Sequence, residues 1–168
     1  MQELKALVND IPDFPKPGIL FRDITPLLRK RFDATIDALE ELFTEAEWGE
    51  VDAVAGVESR GFILAAALAE RRHKGFVAIR KKGKLPPPVV DVSYDLEYGS
   101  GVLEMQTGHG RLLLIDDVLA TGGTLAASVA LSHQAGYTLV GLGLLLDIGI
   151  APGFRCGEFE PRSVLKYG

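Results

Sequence analysis

The sequence has one cysteine, Cys156, so no disulfide forms within the chain and a cysteine-rich zinc site is excluded. Long hydrophobic runs are also missing. The longest, Phe62 to Ala69 and Leu139 to Leu146, fall far short of the roughly 20 residues of a membrane-spanning helix. There is no excess of positive charge: 18 Lys and Arg stand against 23 Asp and Glu, a net charge of −5, which argues against a general nucleic-acid or anionic-membrane binder. The opening MQELKALVND carries no basic stretch followed by an apolar core, so no secretory signal is expected. No fixed-period repeat, low-complexity stretch or long linker divides the chain. With 168 residues and 47% hydrophobic content, one cytoplasmic domain over residues 1–168 with a real core is expected.

The charge that is present is unevenly placed. Seven of the 18 basic residues fall between Arg71 and Lys84: Arg71, Arg72, Lys74, Arg80, Lys81, Lys82 and Lys84. A compact basic segment in an acidic chain points to a local anionic ligand, or else to a solvated helix end followed by a basic loop.

Periodicity orders the rest. A short amphipathic helix is expected over Gln2 to Val8, then an extended, irregular stretch from Ile11 to Gly18, where three prolines stop helices. Phe32, Ile36, Leu39, Leu42, Phe43 and Ala46 mark one helical face. Val51 to Val57 reads as a strand, the alanine- and leucine-rich FILAAALAERR as a helix, and Phe76 to Arg80 as a second strand. Lys81 to Ser93, with Pro86, Pro87 and Pro88, is expected to be a long exposed loop. Asp95 to Gln106 reads as a hairpin about Gly99-Ser100-Gly101. Leu112 to Asp116 and Leu139 to Leu146 are buried strands flanking a helix opened by TGGT, and Ser163 to Tyr167 is a last short strand. Strands alternating with helices, in near-continuous apolar runs, indicate an α/β fold: a doubly wound, mainly parallel sheet with helices on both faces.

The chemistry concentrates in LLLIDDVLATGGT, Leu112 to Thr124. A buried strand delivers two adjacent carboxylates, Asp116 and Asp117, to the edge where open α/β sheets bind ligands. Four residues on, a glycine turn opens a helix whose free N–H groups and positive end suit a phosphate. Gly122 and Gly123 let backbone approach the ligand, and Thr121 and Thr124 add hydroxyls. Carboxylates beside a phosphate cradle suit vicinal sugar hydroxyls. Taken singly, DD is a turn-and-cap pair and GG a helix start; the ordered combination is far more specific.

LLLIDDVLATGGT resembles the phosphoribosyl-pyrophosphate (PRPP) binding motif of the type I phosphoribosyltransferases. FPKPGILFRDITPLL (Phe14 to Leu28), AGVESRGFILA (Ala55 to Ala65), and IRKKGKLP followed by YDLEYG (Ile79 to Pro86, Tyr94 to Gly99) resemble the adenine-specific members, in the expected order. The resemblance runs roughly from residue 10 to residue 146. It implies a small N-terminal hood over residues 1–30 and a flexible loop and hairpin over residues 80–106. It implies transfer of 5-phosphoribosyl from PRPP to adenine, giving AMP and pyrophosphate, with magnesium entering on PRPP rather than on protein ligands. A homodimer is implied as well.

Residue by residue, the resemblance gives Asp116 and Asp117 the ribose 2′- and 3′-hydroxyls and wraps Ala120, Thr121, Gly122, Gly123 and Thr124 about the 5′-phosphate. Glu58, Ser59, Arg60 and Gly61, with Arg80, Lys81 and Lys84, fall to the pyrophosphate, and Arg60 also counts as catalytic. Taken alone, Ser59 is equally a helix cap and the basic loop a solvated one. Phe21 is a stacking candidate for a flat base or ordinary core, while Leu20 and Arg22 offer backbone groups to the base edge. Glu97 is the acid–base candidate for the adenine N9 proton, or an exposed strand residue. Tyr98 packs over the site or faces the core. Other purines, or a non-catalytic PRPP-binding regulator on the same fold, are the alternatives.

The chain departs from the family pattern in GKLPPP, where Pro87 stiffens a segment expected to move, and in DIGIAPGFRCGEF (Asp147 to Phe159). Gly99-Ser100-Gly101 is no dinucleotide fingerprint, no GxxxxGK[ST] is present, and His73, His109 and His133 lack metal or nucleophile spacing.

Overall fold

The computed structural model describes residues 1–96 and 99–167. In chain order the elements are α1 (Gln2–Lys5), β1 (Asn9–Pro12), β2 (Leu20–Asp23), α2 (Thr25–Lys30), α3 (Phe32–Glu40), α4 (Glu45–Glu50), β3 (Ala53–Val57), α5 (Arg60–Arg71), β4 (Gly75–Lys81), β5 (Val89–Leu96), β6 (Gly99–Gln106), β7 (Gly110–Leu119), α6 (Gly123–Gln134), β8 (Tyr137–Asp147) and β9 (Arg162–Lys166). Seven strands form one sheet in the order β5-β6-β4-β3-β7-β8-β9. The run β4-β3-β7-β8-β9 is parallel, and β6 and β5 add an antiparallel edge. β1 and β2, within the 1–30 segment proposed as a hood, make a separate antiparallel ribbon.

Strand β7 explains the two-sided core. Its side chains alternate across the sheet. Leu113 and Ile115 pack with Leu39 of α3 and Leu64 and Leu68 of α5, while Leu112 and Leu114 pack with Leu125 and Leu131 of α6. Leu64, Leu68, Leu112, Leu114 and Leu131 are fully buried, each stabilising the fold by about 1.5–3 kcal/mol. The α/β, doubly wound reading stands.

Several boundaries move, each for a local reason. The helical face from Phe32 to Ala46 is two helices. α3 stops at Glu40 because Thr44 and Glu47 form a reciprocal capping box: the Glu47 amide donates to Thr44 Oγ1 at 3.2 Å, and the Thr44 amide donates to Glu47 Oε2 at 2.7 Å. α1 ends at Lys5, short of Val8, and the proline-rich stretch contributes Ile11 and Pro12 to β1. The exposed loop after β4 ends at Pro88, not Ser93. Val90, Val92 and Tyr94 alternate onto the α6-side core, and that burial converts the segment to strand. Gly99, Ser100 and Gly101 pair inside β6 instead of making the hairpin turn. β7 continues to Leu119, so Asp116 and Asp117 lie within the strand, three and two residues before its end, not at its tip.

Candidate active site

The carboxyl edge of β3 and β7 gathers most of the predicted residues. Asp116 and Asp117 are each only 7% exposed. Asp116 Oδ1 accepts the Asp117 amide at 2.8 Å. The first turn of α5 lies directly against Asp116: a Cβ on Gly61 would stand 2.8 Å from Asp116 Oδ1, so only glycine permits this approach. The ESRG turn and the acidic pair are thereby one structure. The Glu58–Ser59 peptide is cis, Ser59 is exposed at the head of α5, and its side chain makes no cap hydrogen bond. α6 opens in the same way, on Gly122 at φ +89° without a side-chain cap. Two helices of twelve residues thus present amide ends with no side-chain cap at one sheet edge. In the turn before α6, Thr121 is exposed, while Ala120, Gly123 and Thr124 are half-buried.

Arg60 joins this edge to the hood. Its Nη2 lies 2.6 Å from Asp117 Oδ2, its Nη1 donates to the Arg22 carbonyl at 3.3 Å, and its guanidinium sits 4.9 Å from the centre of the Phe21 ring. Phe21 belongs to neither hydrophobic core; it is half-buried, edge-on to Phe14 at 5.2 Å. Leu20 is exposed at the start of β2. The Arg22 side chain turns away, to Asp10 and to the face of Tyr167 at 4.2 Å.

On the other side of Asp116 and Asp117, Glu58 collects the basic loop. Its carboxylate accepts the Lys81 amide at 2.6 Å and faces Lys84 Nζ at 3.1 Å and Arg80 Nη2 at 3.6 Å. Within the ESRG turn, Glu58 is thus a counter-ion for the loop. The Lys82 ammonium instead pairs with Asp91 at 2.8 Å, outside the cluster. Glu97 and Tyr98 lie outside the described residues.

The electrostatics are divided. Burial, then the charge of Asp117, pushes the Asp116 carboxyl well above the usual aspartate range. Burial also raises Asp117, opposed by the Arg60 guanidinium. Burial works to raise Glu58 too, but the Lys81 amide and the Lys84 ammonium prevail and hold it below the ordinary glutamate range. Asp117 Oδ2 touches Arg60 ionically, yet it has no well-directed hydrogen bond among the described residues. Such a buried acceptor suits a ligand hydroxyl. Among the described residues no three His, Cys, Asp or Glu side chains converge on a point that would hold a metal ion.

Two contributors escaped the sequence reading. The Phe154 ring covers Gly122 so closely that any Cβ there would clash with it. Glu104, on β6, is a buried carboxylate behind the basic loop. Neither has a local motif: Phe154 lies in the segment that departs from the family pattern, and Glu104 reads as one polar residue in a strand.

A hood with an aromatic ring, an acidic pair and two helix ends without side-chain caps thus gather at one end of the parallel sheet. The phosphoribosyl transferase domain profile matches residues 26–153, and the chain belongs to the phosphoribosyltransferase family. Within it the chain is an adenine phosphoribosyltransferase family member. It is 51% identical over 165 residues to the adenine phosphoribosyltransferase of Hydrogenovibrio crunogenus, covering 98% of this chain and 96% of that one. It is 45% identical to the enzyme of Bdellovibrio bacteriovorus, covering 98% and 99%. The crystal structure of the Thermoanaerobacter pseudethanolicus enzyme superimposes with a TM-score of 0.90 at 37% identity, covering 99% of both chains. That of Saccharomyces cerevisiae, complexed with an imino-altritol bisphosphate and adenine, gives 0.89 at 34% identity, covering 98% and 97%.

Proposed function

We propose that this chain transfers 5-phosphoribosyl from PRPP to adenine, giving AMP and pyrophosphate for purine salvage. The observation that carries the reading is the position of Arg60, one guanidinium touching both the Asp117 carboxylate and the Phe21 hood. A base on Phe21 and a ribose on Asp117 are thereby brought to opposite sides of one residue.

In the reaction the adenine N9 lone pair attacks C1′ of the ribose. The C1′–oxygen bond breaks with its electrons going to pyrophosphate, and the N9 proton leaves to a base, for which Glu97 is the candidate. Asp116 and Asp117 accept the ribose hydroxyls, and Ala120 to Thr124 hold the 5′-phosphate on the α6 amides. Arg60, Ser59, Gly61, Arg80, Lys81 and Lys84 meet the growing charge of the leaving pyrophosphate. Leu20 and Arg22 present backbone groups to the adenine edge. Magnesium carried on the PRPP oxygens would supply neutralisation of their charge, and no side chain of this chain is assigned as its direct ligand.

The active form is a homodimer. Ile63 and Phe76 are 44% and 43% exposed, and Phe76 packs edge-on against Phe62 on α5, beside the strand that leads into the basic loop. The reaction runs in the cytoplasm, where phosphorylated substrates such as PRPP are confined by their charge.

Purified protein assayed with PRPP, magnesium and, in turn, adenine, hypoxanthine, guanine and xanthine tests the reading. AMP formation from adenine is expected. PRPP binding without turnover on any base would instead mark a regulator, and turnover on a 6-oxopurine alone would overturn the base assignment.

A further inference from the structure

The basic loop between β4 and β5 is fastened along its length to one strand. The Lys82 amide donates to the Val102 carbonyl at 3.0 Å, Gln106 Nε2 to the Pro86 carbonyl at 3.1 Å, and the Thr107 amide to the Pro88 carbonyl at 3.2 Å. Between these lies Glu104, only 3% exposed. Its Oε1 accepts the amides of Lys84 at 2.6 Å and Leu85 at 2.7 Å. Three of the four contacting residues, 102, 104 and 106, follow the two-residue repeat of β6, and Thr107 is the residue just after it. A buried carboxylate receiving amides in this way replaces its lost water with charge-assisted hydrogen bonds.

We infer that Glu104 is a positioning residue that holds Gly83–Leu85 as a preformed turn, presenting Lys84 beside Glu58 for an incoming diphosphate. The loop is then a built shelf for an anion rather than a free chain that orders only on binding. Preorganisation of this kind strengthens anion binding because less freedom is lost when the ligand arrives. The Gly83, Lys84 and Leu85 amides also hold the Glu104 carboxyl below the ordinary glutamate range, consistent with an ionised anchor. The inference rests on the proposed function for the identity of the anion but not for the anchor itself.

Two readouts test it. Amide hydrogen exchange on the ligand-free wild-type chain is expected to show slow exchange at Lys84 and Leu85; rapid exchange there would overturn the anchor, whatever the enzyme turns over. Steady-state kinetics on Glu104→Ala and Glu104→Gln provide the second. Glu104→Ala is expected to raise KM for PRPP about tenfold, equivalent to about 1.4 kcal/mol, with KM for adenine within about twofold. Glu104→Gln keeps an Oε1 acceptor for both amides and is expected to recover most of the loss. Equal damage in the two variants, or parallel rises in both KM values, would contradict a positioning role. A wild-type chain with slow exchange but no AMP formation would overturn the proposed function and leave the anchor standing.

Discussion

Two basic segments only eight residues apart have opposite fates. Arg71 and Arg72 close α5, and their charge is taken up on the spot. Arg71 pairs with Asp37 and Glu40, while Arg72 pairs with Glu40 at 2.9 Å and Glu45 at 2.7 Å and lies 5.1 Å from the centre of the Trp48 ring. They fasten α5 to α3 and α4 and are not a merely solvated helix end. Arg80 and Lys84 share one carboxylate, Glu58, at 3.6 and 3.1 Å, and Arg80 Nε is buried without a hydrogen-bond partner among the described residues. Density of positive charge in a sequence is therefore a poor guide to anion binding; what matters is how much of it the fold leaves uncompensated beside a ligand edge.

Substitutions separate the two segments. The largest effect is expected from Arg80→Ala with Lys84→Ala. Removing two charge-assisted contacts to the leaving group should lower kcat/KM for PRPP about 100-fold, with a folded protein by circular dichroism. A loss within about threefold would erase the distinction. Next comes Asp117→Asn. It weakens the acceptor for a ribose hydroxyl and leaves Arg60 without its ion partner, so PRPP affinity by calorimetry should fall about tenfold. Unchanged affinity in a folded variant would remove the sugar-hydroxyl role.

Arg72→Ala marks the other segment. It should cost about 1 kcal/mol of stability, or about 2–4 °C in Tm, with kcat/KM within about twofold. A catalytic loss without a fall in Tm would show that the structural assignment is wrong. The smallest effect concerns pH. The Asp116 carboxyl is raised by burial and by Asp117, so the folded state holds its proton more tightly than the unfolded chain. That contribution is complete below the unfolded aspartate pKa and is lost as pH rises through the folded one. Asp116→Asn should therefore gain on wild type as pH rises, reaching about 2 °C in Tm near neutrality while binding PRPP less well. A Tm difference that does not change with pH would contradict this.

What the sequence disclosed follows from the range of its signals. DDVLATGGT and ESRG are local: strand, turn and helix start are each written in a few adjacent residues, and the fold brings both to one edge. The two-sided burial of β7 was likewise legible, because a near-continuous apolar run such as LLLID, in a chain whose strands and helices alternate, marks a strand covered on both faces. Glu104 was not. Its role depends on a loop about twenty residues earlier that folds back onto it. Phe154 reaches Gly122 from within the segment that departs from the family pattern, so no motif announced it. The break between α3 and α4 was readable in principle, since T-E-A-E is a capping box, but the continuous apolar face masked it. Arg60 was placed on the pyrophosphate side by its motif; its reach to Phe21 and the Arg22 carbonyl needed the tertiary structure.

The central claim is that Arg80 and Lys84 form an anion site while Arg71 and Arg72 do not. Calorimetric titration of magnesium pyrophosphate into wild type, Arg80→Ala/Lys84→Ala and Arg71→Ala/Arg72→Ala tests it most directly. The account predicts at least about a tenfold weaker Kd for the first variant and a Kd within about twofold of wild type for the second. Equal weakening in both, or in neither, would contradict it.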